Sequence, residues 1–288
     1  MKLNKGIMRL AQISMPYFDI LLEQLRMGNP AVQKAFGRHV HWGYWANPAE
    51  ADGSVEDFAV AAENLCQRVY AAASVNEHEQ LLDAGCGFGG TIASLNEQFK
   101  NLDMIGLNID PRQLDRARQE IKPLANNKIT FVEGDACQLP FADGSMDVVL
   151  ALECIFHFPN REEFLQEAKR VLRPGGRLGI CDFVSTPIFK TLQQVVNTFT
   201  KPVISGTFGR SDSCFTVSDY RTLAQKTGFQ LTTQEDITRH TLPTYPVVCD
   251  LFDQAGYPKA VRDVAAVEKI SQVGLLRYFI LSFTKVPT

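Results

Sequence analysis

Asp83, Glu153, His157 and Asp182 are the residues best placed to do chemistry, because each ends or closely follows an apolar run that reads as a buried strand. Ligands of open α/β sheets bind beyond such strand ends. A neutral imidazole at His157 has a pKa suited to taking a hydroxyl proton near pH 7, and a carboxylate could orient it. Glu153 could act as a base, steady a carbocation or attract a cation. The loop that would hold a ligand is Leu81-Leu82-Asp83-Ala84-Gly85-Cys86-Gly87-Phe88-Gly89-Gly90, a strand running into a turn nearly bare of side chains, with Thr91 opening a helix. Gly85, Gly87 and Gly90 spell the G-x-G-x-x-G of a dinucleotide turn, with Asp110 at about the expected distance downstream. Asp83 argues against that reading, since a pyrophosphate gains nothing from a carboxylate, whereas a cationic cofactor does.

The elements that must position these groups alternate between strand and helix through residues 80–235, which predicts an α/β domain with a mostly parallel sheet. Leu102–Arg118 reads as strand, turn and helix, with Asp110 as N-cap, Pro111 at the first helical position and Gln113 completing a capping box. Phe131–Ala136 ends a third strand and Met146–Glu153 forms a fourth. Val171–Leu178 supplies a helix stop, a Pro-Gly turn and the entry to a fifth strand ending near Asp182. Residues 1–79 are expected as an N-terminal helical cap, 80–183 as the cofactor-binding core, 184–215 as an apolar lid containing Val203, Ile204, Gly206 and Phe208, and 216–288 as the rest of the core with added helices.

These segments resemble the class I S-adenosylmethionine-dependent methyltransferases, and in particular the small-molecule branch that includes sugar O-, tocopherol and sterol methyltransferases. The first motif of that family, D-x-G-x-G-x-G, is matched by Asp83, Gly85, Gly87 and Gly89. The resemblance implies a Rossmann-like seven-stranded sheet with helices on both faces, and S-adenosyl-L-methionine as cofactor. It places Asp83, Gly85, Gly87 and Gly89 at the amino acid end of the cofactor, Asn108 at the ribose, and Asp135 and Ala136 at the adenine, with Cys86, Ile109, Gln113 and Leu152 as further cofactor contacts. Most members carry an acid where this chain has Asn108, whose amide still donates to and accepts from hydroxyls. The segment His39–Trp45 is similar to one that folds over the cofactor, with Tyr44 matching a contact to its carboxylate. His157 and Asp182 match a base and its support in several O-methyltransferases.

Phe156, Phe158, Phe183 and Phe208 are the expected acceptor-site walls and suggest a small, largely hydrophobic metabolite with one reactive position. Oxygen methylation leads and carbon methylation of an isoprenoid or polyketide follows. A catalytically silent cofactor-binding regulator and an NAD-dependent oxidoreductase are the readings outside this activity. With 29 Lys and Arg against 32 Asp and Glu, net charge −3, the chain has no electrostatic footprint for nucleic acid. Seven cysteines without paired spacing predict reduced thiols and a cytoplasmic setting. His39, His41, His78 and His240 carry no supporting pattern and Cys154 no activating base, so neither a metal nor a covalent mechanism is expected. The first ten residues fit neither a signal peptide nor a membrane span, stable membrane anchoring is not expected, and residues 251–273 could mediate a homodimer.

Overall fold

The computed structural model describes residues 15–199, 207–209, 212 and 214–287. Seven strands, β1 (Gln80–Ala84), β2 (Asp103–Asn108), β3 (Lys128–Glu133), β4 (Met146–Leu152), β5 (Leu172–Ser185), β6 (Phe229–Asp236) and β7 (Leu276–Lys285), form one sheet in the order β3-β2-β1-β4-β5-β7-β6. β1 to β5 run parallel, and β7 lies antiparallel between β5 and β6. The order reverses between β1 and β4, which opens a crevice beyond their carboxyl ends. Val148 to Ala151 of β4 are fully buried, as a central parallel strand covered on both faces requires.

The first described helices are α1 (Pro16–Arg26), α2 (Pro30–Phe36) and α3 (Val55–Ala72). Asn29 caps α2 by accepting from the Ala31 and Val32 amides, and Ser54 caps α3 by accepting from Asp57. The α3 residues Phe58, Ala62, Leu65, Cys66 and Val69 are fully buried, so this helix is a layer of the core, while α1 and α2 supply Tyr17, Leu21 and Phe36 to the lining of the crevice. Beyond β1 come α4 (Gly90–Gln98), α5 (Pro111–Glu120), α6 (Arg161–Val171), α7 (Pro187–Phe199) and α8 (Val217–Thr227). A short helix α9 (Thr238–Thr241) then leads into the packed pair α10 (Thr244–Gln254) and α11 (Pro258–Gln272).

Three local expectations change. Asp110 does cap α5 through the Arg112 amide, but Gln113 is buried and its Oε1 accepts from Asn108 Nδ2 at 2.8 Å, so no capping box forms there. Burial decides this, because an enclosed amide must find a partner nearby. β5 begins at Leu172, and the Pro-Gly turn is an irregularity within it: Met146 pairs with Leu172 and Val148 with Arg177. Of the expected lid, α7 carries Ile188 and Leu192 on its outer face, 68% and 51% exposed, while Phe189 packs on the core. Thr207 accepts the Tyr17 amide through its carbonyl at 3.0 Å, tying this segment to α1. Val203, Ile204 and Gly206 lie outside the described residues, as does the opening decapeptide.

Candidate active site

The chain leaves β1 through three glycines with left-handed backbone, Gly85 at φ +83°, Gly87 at +54° and Gly89 at +81°. At Gly85 a Cβ would stand 2.8 Å from Cys154 Sγ, so the turn closes only without a side chain. At Gly87 the nearest atom would be Gln113 Oε1 at 3.8 Å, and the loop there opens into a cavity of about 890 Å³. Gly89 does not line this cavity: a Cβ on it would meet Ile121 Cδ1 at 2.6 Å, so it serves the packing of α4's start.

Asp83, at the floor of the cavity, is 1% exposed, and neither carboxylate oxygen makes a hydrogen bond. Burial pushes its carboxyl up to about 7, with Thr91 close enough to oppose the shift slightly yet not aligned to bond. An enclosed acid with both oxygens free fits a ligand that brings positive charge. The cavity also presents Gly85, Cys86, Gly87, Asn108, Ile109 and Gln113, and, at its other end, Asp135, Ala136 and Leu152. Asn108 spends its Oδ1 on the Ile109 amide at 2.8 Å and its Nδ2 on Gln113, so the two side chains present one fixed polar surface. Asp135 Oδ1 accepts from the Cys137 amide at 2.8 Å. An ammonium-bearing, adenosine-sized cofactor fits this set of groups.

A second cavity of about 820 Å³ adjoins the first and shares Tyr17, Val40, Glu153 and His157 with it. The remaining wall is apolar, with Trp42, Phe156, Phe183, Phe208, Val248 and Phe252 among its members. Glu153 sits just past β4 at φ +50°, an unfavourable backbone for a residue with a Cβ. Its Oε2 accepts from the Trp42 amide at 2.8 Å and from the Tyr278 hydroxyl. Burial pushes its carboxyl up to about 8, with Tyr278 and Trp42 opposing and Asp182 adding to the rise. His157 Nε2 lies 3.4 Å from the Tyr17 hydroxyl, and the two rings stack with centroids 6.0 Å apart. Burial, then Glu153 and Cys154, hold the Tyr17 phenol well above its usual pKa, so it keeps its proton.

Several expected residues fall elsewhere. Asp182 is fully buried, and its Oδ2 takes Arg161 at 3.0 Å and the Tyr220 hydroxyl, so it supports this interior ion pair instead of His157. Arg161 itself bridges on to Asp212 at 2.8 Å. A charge partner stabilises the ionised form of a buried acid, and Arg161 is the one in reach of Asp182. Tyr44 lines neither cavity; its ring stacks on His240 at 4.8 Å and receives Arg68 at 4.4 Å. Phe158 lines the first cavity and packs on Phe164, leaving Phe156, Phe183 and Phe208 in the second. Sequence reasoning missed Tyr17, Trp42 and the wall from α10 and α11, Val248, Phe252 and Val267. Only the aromatic density of His39–Trp45 hinted at any of them.

Comparison with known proteins agrees with this geometry. A family model described as "Methyltransferase domain" matches residues 82–180. The chain is 33% identical over 228 residues to the methyltransferase GfsG of Streptomyces halstedii, covering 78% of each protein. It is 27% identical over 252 residues to the 27-O-demethylrifamycin SV methyltransferase of Amycolatopsis mediterranei, covering 86% of this chain and 87% of that protein. Among solved structures, a mycolic acid cyclopropane synthase complexed with SAH shares the fold at a TM-score of 0.75 and 16% identity, with 96% of this chain and 98% of the other aligned. No helix among the described residues is long and apolar enough to cross a membrane. The sheet order, the glycine cradle over an unpaired acid and the extent of these matches together show that the chain belongs to the class I S-adenosylmethionine-dependent methyltransferases that act on small molecules.

Proposed function

We propose that the enzyme methylates a hydroxyl oxygen of a largely hydrophobic, uncharged metabolite bound in the second cavity. The observation that carries this is the shared neck: among the described residues the ionisable groups lining the acceptor cavity are Tyr17, Glu153 and His157, and all three also line the cofactor cavity. Among the described residues no Lys or Arg lines the acceptor cavity, which supports an uncharged acceptor over one carrying a phosphate or carboxylate.

In this reading Asp83 and the Gly85 to Gly87 backbone hold the amino acid end of the cofactor, Asn108 and Gln113 the ribose, and Asp135 with Ala136 the adenine. When bound, the cofactor supplies an electrophilic methyl on a sulfonium. The chain's part is alignment and proton removal. His157 Nε2 faces the Tyr17 hydroxyl at 3.4 Å, and its lone pair accepts the proton of a substrate hydroxyl that takes the place of Tyr17 in the neck. Trp42, Phe183 and Phe208 keep water from the reacting pair. Glu153 sets the charge of the neck on the face toward β7. The relative that acts on 27-O-demethylrifamycin SV, named for an O-methyl position, supports oxygen as the acceptor atom. That none of the seven cysteines forms a disulfide supports a reducing, cytoplasmic setting.

Transfer of label from S-adenosylmethionine into pooled hydroxylated polyketide, terpenoid and phenolic acceptors tests the reading. An O-methyl product, with His157→Ala lowering kcat by about 10²-fold to 10⁴-fold, is the expected result. An H157A enzyme within a few-fold of the parent would remove His157 as base. A second reading, methylation at carbon, is favoured by the aromatic wall of Trp42, Phe156 and Phe183 beside Glu153, which could steady a carbocation. The position of the label in the product separates the two.

A further inference from the structure

Among the described residues Glu153 is the acid that lines both cavities, and its two hydrogen-bond partners, the Trp42 amide and the Tyr278 hydroxyl, carry no charge. Both bonds fall on Oε2, while Oε1 is neither bonded among the described residues nor sealed in as the two Asp83 oxygens are. The Glu153 N–H donates to the Cys181 carbonyl at 3.1 Å, so backbone and side chain together hold the carboxyl at the neck. Ionising an enclosed acid that has no cationic partner is costly, and a ligand that brings positive charge is what this one lacks.

The groups packed around it do not fill that place. Tyr278 on β7, Tyr17 on α1, Cys181 on β5 and Cys154 beside it keep their protons, since burial holds all four well above their usual pKa. Tyr245 on α10 is pushed up to about 12 by burial. Asp182 on β5 is spent on Arg161. In the covering segment, His41 is pressed down to about 3 by burial and by His39, so it carries no charge. Arg38, on the far wall of the cofactor cavity, is paired with Glu63 and Glu97. His157 shares the neck, and Asp83 lies in the cofactor cavity beyond it.

Methyl donor and demethylated product share an ammonium and an adenosine, which Asp83 and the rest of the cofactor cavity meet alike. They differ by a methyl and one positive charge, and the methyl must cross where the two cavities join. We infer that Glu153 is the counter-charge by which the enzyme tells S-adenosylmethionine from S-adenosylhomocysteine: a carboxylate when a sulfonium lies at the neck, a carboxylic acid when the neutral thioether or no cofactor does. This rests on the neck being the place of transfer, but its test needs no acceptor. Burial already pushes the free acid up to about 8, and an opposite charge close by lowers a carboxyl by about one to three units. Donor binding therefore releases a proton near neutral pH, and product binding does not. Charge also balances over the reaction. The sulfur keeps the electron pair of the broken sulfur–methyl bond, the acceptor oxygen supplies the pair of the new one, and the hydroxyl proton set free equals the proton that Glu153 takes up.

The experiment is calorimetric binding of S-adenosylmethionine and of S-adenosylhomocysteine at about pH 7.5, in two buffers of different ionisation heat, to the parent and to Glu153→Gln. The buffer dependence gives the protons released. Asp83, His157 and the amino group of the ligand titrate in both proteins and cancel when the variant is subtracted. The parent is expected to release about 0.5 to 0.8 more protons than E153Q on binding S-adenosylmethionine, and about the same number on binding S-adenosylhomocysteine. E153Q should bind the donor roughly 3-fold to 200-fold more weakly and the product within about two-fold of the parent. Equal proton release by parent and variant with the donor overturns the inference, as does the same excess with the product. Should E153Q fail to fold, infrared difference spectra of the parent decide: more carboxylic acid signal lost with the donor than with the product is expected, and equal loss overturns the inference. Failure of every acceptor in the turnover assay would count against the proposed reaction and leave these binding results standing.

Discussion

Replacing Asp83 with Asn should make the protein more stable and a poorer binder of its cofactor, and both effects can be worked from the structure. The Asp83 carboxyl is fully enclosed with neither oxygen hydrogen bonded, and its pKa is pushed from the usual 3.8 to about 7. A group whose folded pKa lies above its unfolded value takes up a proton on folding between the two. The contribution of Asp83 to stability is therefore highest below pH 4, declines between about 4 and 7, and is flat above that. At 1.36 kcal/mol per unit, the rise of about three units corresponds to roughly 4 kcal/mol of ionisation cost at pH 8, and about 2 at pH 5. Asn has nearly the same shape and never ionises, so the difference in unfolding free energy between Asp83→Asn and the parent should grow by roughly 2 to 3 kcal/mol from pH 5 to pH 8. Taking the difference cancels Glu153, which titrates in both proteins. The cofactor should show the opposite preference: a cationic ligand meets the ionised acid, so its affinity for the parent should rise with pH through about 7. Loss of a hydrogen bond to a charge costs about 1.5 to 3 kcal/mol, and D83N should bind S-adenosylmethionine roughly 10-fold to 100-fold more weakly. Urea unfolding at several pH values and calorimetric binding measure the two terms. A variant that is less stable than the parent at pH 8, or that binds the cofactor as tightly, would refute the account of Asp83 as a strained ligand-binding acid.

Asp182→Ala leaves Arg161 buried without its partner and should destabilise the protein by about 3 to 5 kcal/mol, read by urea unfolding, while cofactor affinity of the folded fraction changes little. Tyr44→Phe should keep cofactor affinity within about two-fold, since the side chain lines neither cavity; a ten-fold loss by calorimetry would restore it to the site. Gly85→Ala meets both a φ of +83° and Cys154 Sγ at 2.8 Å, and should weaken S-adenosylhomocysteine binding together with a drop in thermal stability.

Much of the cofactor half was legible because it is local. The β1 strand, Asp83, the glycine turn and the start of α4 are contiguous, and the preference of each residue for its own backbone dictates the cradle without help from distant chain. The Asn108 to Gln113 pair belongs to the same kind of short-range information, yet the use of Gln113 was misjudged because capping and burial compete for one side chain, and enclosure by the sheet won. The parallel order of β1 to β5 likewise follows from the alternation of strand and helix and the constraint on crossovers.

The acceptor half depended on residues far apart in the chain. Tyr17 from α1, Trp42 from the covering segment, Glu153 after β4, Phe183 on β5 and Phe252 on α10 meet at one cavity, and no spacing rule connects them. Asp182 shows why a motif could not decide the matter: the partner for a buried carboxylate is chosen by charge and proximity in the folded interior, and there Arg161 and Tyr220 reach it. The sequence by itself determined the α/β alternation and the cradle, because those rest on local backbone preference and strand periodicity, and its motifs carried the resemblance that implied the cofactor. Only the tertiary structure decided which acids are free to act and which are locked in ion pairs, because desolvation and pairing exist only once the chain has closed around them.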